Sequence, residues 1–272
     1  MSGMIFFKLP ALSVFFAFLL LPIAAQEDST KNFTDENGHR QGYWEQRYPN
    51  GNLRYSGQFR NDRPVGEFTR YFSSGNKMAF MVFCDQGIRA DTKLYYENGK
   101  IAAKGIYLDE KKDSVWRYYS FYDQHLTSTE TYDAGVRDGI SAVYYPNGNY
   151  AEVFTYRNDQ RHGWWKQYYA DGSVKVMSEF SDDMRHGDFV YYSPGGRKEI
   201  EGRYYRNRMH GEWFFFNERG EVISQIKYTD GVAENEDELI EKQQEEFRII
   251  EKMRGKIPEP DESELFLPGG RR

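Results

Sequence analysis

Residues Gly163–His186 read GWWKQYYADGSVKVMSEFSDDMRH, and the order of turns and aromatics in this stretch decides the fold. Trp164 to Tyr169 is dense in aromatics, which suit a pleated, half-buried strand. Ala170-Asp171-Gly172 is a turn, and its Asp-Gly pair predicts a two-residue hairpin loop with positive φ at both central residues. Ser173 to Phe180 alternates, with Val174, Val176 and Phe180 on a related phase. Ser181-Asp182-Asp183 opens a second, looser turn, because Asn and Asp tolerate left-handed backbone. Arg185-His186 then leads into Gly187, where the pattern starts again. The stretch is one hairpin of two antiparallel strands, each of about six to eight residues.

The same frame recurs at Gly42, Gly66, Ala90, Ser114, Gly139, Gly163, Gly187 and Gly211. Successive positions lie 24 residues apart, with one step of 25 between Ser114 and Gly139. An aromatic follows two residues later in Trp44, Phe68, Trp116, Trp165, Phe189 and Trp213. Another follows 17 residues after the leading position in Phe59, Phe83, Tyr107, Tyr156, Phe180, Tyr204 and Tyr228. A fixed period of this length marks a repeat array whose units bury surface against their neighbours. The expected fold is all-β: an extended single-layer antiparallel meander of about eight stacked hairpins over residues 42–234. Ladders of aromatics on one face hold such a sheet together. The fourth unit, Ser114–Asp138, has Asp123 in place of the turn glycine and one inserted residue, so a bulge or kink is expected there.

Composition agrees. Aromatics make up 17% of the 272 residues while all hydrophobics reach 39%, so aliphatics are scarce and a thick aliphatic core is excluded. The net charge of −6 lacks the basic balance that nucleic acid would attract; no nucleic-acid partner is expected. The lone Cys84 excludes intrachain disulfides and reads as a small half-buried residue at a strand end.

No catalytic set, phosphate-binding loop or dinucleotide fingerprint is present. His162, His186 and His210 recur once per unit and invite a zinc reading. Equivalent positions in successive hairpins lie two strands apart, about 9.5 Å, too far to share one ion. They read as packing at the repeat joins. Asn158-Asp159 and Asp182-Asp183 read as turn residues. No enzyme activity, catalytic residue, cofactor, metal or small-molecule substrate is therefore expected. If one aromatic face stabilises the sheet, the other is free for a partner. The candidate binding residues are Tyr95, Tyr96, Tyr144, Tyr145, Tyr168, Tyr169, Tyr191 and Tyr192. Adjacent members of each pair should point to opposite faces.

The ends differ from the array. Leu9–Ala25, LPALSVFFAFLLLPIAA, is an apolar run stopped by Gln26-Glu27-Asp28. Its length suits a signal peptide, residues 1–25, with cleavage after Ala25; an uncleaved N-terminal membrane anchor is the alternative. Residues 26–41 read as a linker. Residues 235–254 read as an amphipathic helix with Asn235 and Glu238 as its cap. It either covers the open edge of the last hairpin or docks to a partner. Residues 255–272, with Pro258, Pro260 and Pro268, read as an extended or disordered tail.

Gly42–Asp62, GYWEQRYPNGNLRYSGQFRND, together with the Arg161-His162-Gly163, Arg185-His186-Gly187 and Met209-His210-Gly211 joins, resembles the MORN repeat in its bacterial variant form. Each unit is weak evidence, but eight in register over 42–234 make the resemblance strong. It implies a hairpin sheet with no catalytic residues. It also implies protein–protein contact, with membrane contact or an antitoxin-like binding role as alternatives. Joined to the N-terminal run, it points to an exported interaction scaffold that is periplasmic, outer-membrane-associated or secreted, with a protein partner of unknown identity.

Overall fold

A computed structural model describes residues 31–253. The expected signal peptide, residues 1–25, and tail, residues 255–272, lie outside them. The chain forms one open antiparallel sheet of 19 strands in meander order. Three strands are two-residue pieces: β1 (Phe33–Thr34), β10 (Val136–Arg137) and β19 (Val232–Ala233). The other sixteen make eight hairpins. Hairpin 1 is β2 (Arg40–Arg47) and β3 (Leu53–Arg60); hairpin 2 is β4 (Arg63–Tyr71) and β5 (Lys77–Cys84). Hairpin 3 is β6 (Arg89–Tyr95) and β7 (Ile101–Leu108); hairpin 4 is β8 (Lys111–Tyr119) and β9 (Leu126–Asp133). Hairpin 5 is β11 (Gly139–Tyr144) and β12 (Tyr150–Arg157); hairpin 6 is β13 (Gln160–Tyr168) and β14 (Val174–Ser181). Hairpin 7 is β15 (Met184–Tyr192) and β16 (Lys198–Tyr205); hairpin 8 is β17 (Arg208–Phe216) and β18 (Val222–Thr229). Helix α1 (Glu236–Met253) follows. Part of the segment expected as a linker joins the sheet, since β1 pairs Phe33 with Gln41 and Thr34 with Arg40.

The two turn types are the reverse of the expectation. The Asp-Gly turn is the wider one. The Tyr169 carbonyl accepts from Gly172 N–H at 2.9 Å, and Tyr169 N–H donates to the Ser173 carbonyl at 2.8 Å. Only Gly172 has positive φ, at 93°. This is a type I turn closed by a left-handed glycine bulge. Pro49 and Pro146 occupy the first central position of the equivalent turns, where their fixed φ fits. The join between hairpins is the tight loop: Ser181 pairs with Met184, and Asp182 and Asp183 both lie at positive φ, 52° and 65°. Asn and Asp bear that backbone with least strain.

The leading glycines have a separate cause. At the join into hairpin 6 the register jumps from Phe154–Trp165 to Tyr156–Arg161, so residues 162–164 oppose Thr155 alone. Gly163 sits in this bulge at φ 89°, a conformation that suits glycine. Ser114 takes the same role at φ 56°.

One face carries the aromatic ladder. Phe68 lies so close over Gly57 that a Cβ there would sit 2.1 Å from the ring; Trp116 covers Gly105 and Trp213 covers Gly202 in the same way. The indole N–H groups of Trp116 and Trp213 donate to the carbonyls of Ile106 and Arg203 at 3.0 and 3.2 Å. Burying a ring of ~150–250 Å² is worth up to about 4–6 kcal/mol, so these rings form the core of a sheet that has no second layer. The buried apolar set among the described residues is correspondingly small, with Phe59, Phe180, Trp116 and Trp213 as its largest members.

Candidate functional site: a trough where the ladder is interrupted

The ladder row runs across the strands as Trp44, Gly57, Phe68, Met81, Thr92 and Gly105. At Thr92 the expected aromatic is missing. Thr92 is buried, and its hydroxyl donates to the Ala90 carbonyl at 3.2 Å. The rows on either side supply Ala79, Leu94 and Ala103, and Phe83, Ala90 and Tyr107. With Thr92 in place of a ring and the small side chains of Ala79 and Ala90 beside it, a trough of about 1020 Å³ lies over hairpins 2 and 3. Its walls are Tyr55, Phe59 and Phe68 on one side and Tyr107 on the other, and Met81, Ala79 and Ala90 line its floor. Tyr107 is half-buried, and desolvation pushes its hydroxyl pKa up.

The rim is charged and sorted along the strand direction. Arg54 and Arg70 stand at the end nearest the wide turns; Asp62, Arg63, Asp109 and Glu110 stand at the joins. Arg40 and Asp62 are paired at 2.9 Å. Arg54, Arg63 and Arg70 are exposed and, among the described residues, have no carboxylate within ion-pair distance.

The eight tyrosines expected to form a binding face are all half-buried. Tyr96, Tyr145 and Tyr169 donate their hydroxyls to the carbonyls of Tyr119, Tyr168 and Tyr192, one hairpin further on, at 2.8–2.9 Å. Tyr48 does the same to Tyr71. These hydroxyls tie successive turns together. The Tyr169 hydroxyl is also pushed up to about 12, chiefly through a hydrogen bond with Tyr191. Tyr144 and Tyr168 flank the Tyr150 ring at 5.1 and 6.0 Å. Tyr95 is the member of the set that reaches the trough. The bulges beside these pairs place their extra residue on the partner strand, at Ala102, Ala151, Lys175 and Glu199.

The ladder's other absence, Ser141, is also buried, and its hydroxyl has no partner among the described residues. The degenerate fourth unit adds a polar cluster. Lys112 Nζ lies over the rings of Trp116, Tyr118 and Tyr132 at 4.9–5.2 Å and donates to the Tyr118 hydroxyl at 2.6 Å. Tyr132 donates to Glu130 at 2.8 Å. Burial, with Glu130 beside it, pushes the Tyr118 hydroxyl far up. Its longer turn is held by Gln124, which bonds both backbone groups of Ile101. Asp123 is held down to about 2 by hydrogen bonds from Ser120 and His125.

His186 and His210 pack on Tyr205 at 5.0 and 5.8 Å, and His162 lies 3.6 Å from Asp182. Among the described residues no group of three or more His, Cys, Asp or Glu could hold a metal ion. Cys84, expected half-buried, is exposed at the end of β5, with Sγ 3.8 Å from the Arg89 carbonyl. No helix among the described residues is long and apolar enough to cross a membrane. The sheet face opposite the ladder exposes Ile140 and Trp164, and α1 exposes Phe247 and Ile250 at 66% and 63%. The aromatic register announced the trough by one of its two gaps, Thr92, the other being Ser141.

Five segments match the model of the MORN repeat variant: residues 40–61, 91–109, 137–158, 161–182 and 209–230. They are hairpins 1, 3, 5, 6 and 8. No curated protein matches the chain. Among solved structures it is similar to TarM, at 14% identity and a TM-score of 0.27, over 35% of this chain and 20% of that one. It is also similar to a chain of the TcdB2-TccC3-Cdc42 structure, at 12% identity and a TM-score of 0.19, over 71% of this chain and 13% of that one. A porin-like protein from Bacteroides uniformis matches at 9% identity and a TM-score of 0.14, over 66% and 87% of the two chains. The chain thus spans a fifth or less of the first two, and TM-scores this low carry no functional argument.

Proposed function

Because this chain is a MORN-variant repeat protein, and such repeats serve generally in contacts with proteins or membranes, we propose that it is an exported, non-enzymatic scaffold holding a protein partner in the trough of hairpins 2 and 3. The observation that carries this reading is the interrupted ladder: an apolar floor of about 1020 Å³ beneath arginines without carboxylate partners. Apolar area gives affinity, and unpaired rim charge gives orientation and partner choice. Aromatic walls over an alanine and methionine floor suit contact with a polypeptide. The apolar run Leu9–Ala25 supports export. A near-neutral array gains little from an anionic lipid surface, which favours a protein over a membrane.

The test compares the wild-type chain with a Met81→Gly/Thr92→Phe variant, which transplants the Gly57–Phe68 pairing into the gap and fills the trough. Affinity capture followed by mass spectrometry should recover a partner with wild type and lose it with the variant. Equal capture by both removes the trough from the reading, and flotation of wild type on vesicles would favour the membrane role. Intact-mass measurement of the exported chain should show loss of residues 1–25.

A further inference from the structure

The molecule leaves two complementary surfaces uncovered among the described residues, and they lie at opposite ends of the array. The first is the trough. The second is α1. Its 18 residues carry seven carboxylates and three cations. Phe247 and Ile250, three apart and so on one side of the helix, are two-thirds exposed.

The two fit in length. Eighteen helical residues span about 27 Å, and an eight-residue strand such as β5 spans about 26 Å. They also fit in charge. The helix begins with Glu236, Asp237 and Glu238, and its later turns mix Arg248 and Lys252 with Glu245, Glu246 and Glu251. The trough places Arg54 and Arg70 at its wide-turn end, and Arg63 with Asp109 and Glu110 at its join end. A helix lying along the strands with its N-terminus toward Arg70 sets the carboxylates of its first turn against Arg54 and Arg70.

One chain cannot make this contact with itself. Two residues separate β19 from α1, so the helix starts beside hairpin 8. Eleven strand spacings lie between β6 and β18, about 53 Å at ~4.8 Å each. That is twice the helix's length. We propose that α1 of one copy docks in the trough of a second copy, giving head-to-tail self-association. The proposal rests on the reading of the trough as a polypeptide site and names its occupant. Such a contact is heterologous: each docked copy presents a free trough at one end and a free helix at the other, so the assembly extends with concentration.

The experiment is sedimentation velocity on the chain from Gln26 to Arg272 over a hundredfold concentration range. Wild type should grow beyond a dimer. Phe247→Glu/Ile250→Glu, on exposed helix positions, and Arg70→Glu, on an exposed strand position, should each stay monomeric, with far-UV circular dichroism and melting unchanged. A one-to-one mixture of the two variants still holds one intact helix and one intact trough. It should form a dimer and stop there. A monomeric wild type, variants that associate as wild type does, or a mixture that stays monomeric would each overturn the proposal. If wild type is monomeric while Arg70→Glu still loses a captured foreign protein, the trough reading stands and the second copy is excluded.

Discussion

Hairpins 1 and 5 to 7 each carry an arginine clasp at the join, and hairpins 2 to 4, like hairpin 8 with Met209 at that position, carry none. Arg137 donates both its backbone N–H and its Nε to Asp159 Oδ1, at 3.0 and 3.2 Å, and Arg161 treats Asp183 alike. Arg185 N–H bonds Asn207 Oδ1 at 2.7 Å. Each guanidinium also lies over the aromatic of its own hairpin: Tyr156 at 4.3 Å, Phe180 at 4.6 Å and Tyr204 at 5.3 Å. In hairpins 2 to 4 the equivalent positions hold Pro64, Ile88 and Lys112. The backbone bond of the join survives there, from Asp109 N–H to the Ile88 carbonyl and from Gly135 N–H to that of Lys112. Loss of the clasp is therefore compatible with the sheet. The unclasped region also contains the ladder gap and the inserted residue. One template thus serves two ends: laterally tied hairpins at 1 and 5 to 7, and an opened face over hairpins 2 and 3.

The sharpest way to break this contrast is to remove the ring that borders the opened region. Trp116 is fully buried with its N–H satisfied, so Trp116→Ala should cost about 3–5 kcal/mol. Trp165 in clasped hairpin 6 stacks on Phe154 rather than on a glycine, and its indole N–H has no partner. Trp165→Ala should cost clearly less, since it also removes an unsatisfied donor. Urea melts of both variants decide; equal losses would mean that the seat over glycine adds nothing. Gly105→Ala approaches Trp116 from the other side. Its Cβ would meet the ring at 2.2 Å, and overpacking of this kind costs about 1–3 kcal/mol.

These variants also mark where the sequence was readable. The 24-residue beat located every hairpin, and the tolerance of Asn and Asp for left-handed backbone placed the join residues at Asn158-Asp159 and Asp182-Asp183. The turn types came out reversed because Asp-Gly is compatible with two loops. The choice between them is made by pairing, Tyr168 with Val174, which the dipeptide does not contain. Pro49 and Pro146 carried the missing information. The tyrosine face was unreadable for a related reason. The hydroxyls of Tyr96, Tyr145 and Tyr169 find carbonyls 23 residues on, in the next turn, and local alternation does not contain that pairing. The trough was legible as an omission, at Thr92, from a list built of presences.

Acid tests the clasps of hairpins 5 and 6 with a smaller effect. The Asp159 and Asp183 carboxyls titrate below their ordinary value, first because the Arg137 and Arg161 backbone N–H groups bond the charged form, then through the guanidinium bonds. A carboxyl depressed in the folded state contributes stability in full above its unfolded pKa, about 3.9, and loses it as pH falls through the folded value. Hydrogen exchange should therefore show hairpins 5 and 6 loosening below about pH 4. The Asn207 join of hairpin 7 should not respond. Asp159→Asn/Asp183→Asn copies that join and should flatten the acid limb in hairpins 5 and 6. An unchanged acid limb would place its origin outside the clasps.

The smallest effect addresses the start of hairpin 4. Ser114 occupies the left-handed bulge position that glycine holds in six of the other seven units, at φ 56°. A β-carbon there is strained, and the Ser114 hydroxyl recovers little, since its bond to Asp113 at 2.8 Å is exposed. Ser114→Gly relieves the strain but frees the unfolded chain, which loses more entropy on folding. The difference should leave the variant more stable by about 0.5–1 kcal/mol. The gain should appear as slower exchange across β8 and β9 and leave hairpins 6 and 7 untouched, because a repeat transmits stability mainly to its neighbours. A gain spread evenly along the array would mean that the clasped and unclasped hairpins unfold as one unit, and the contrast between them would then be one of shape alone.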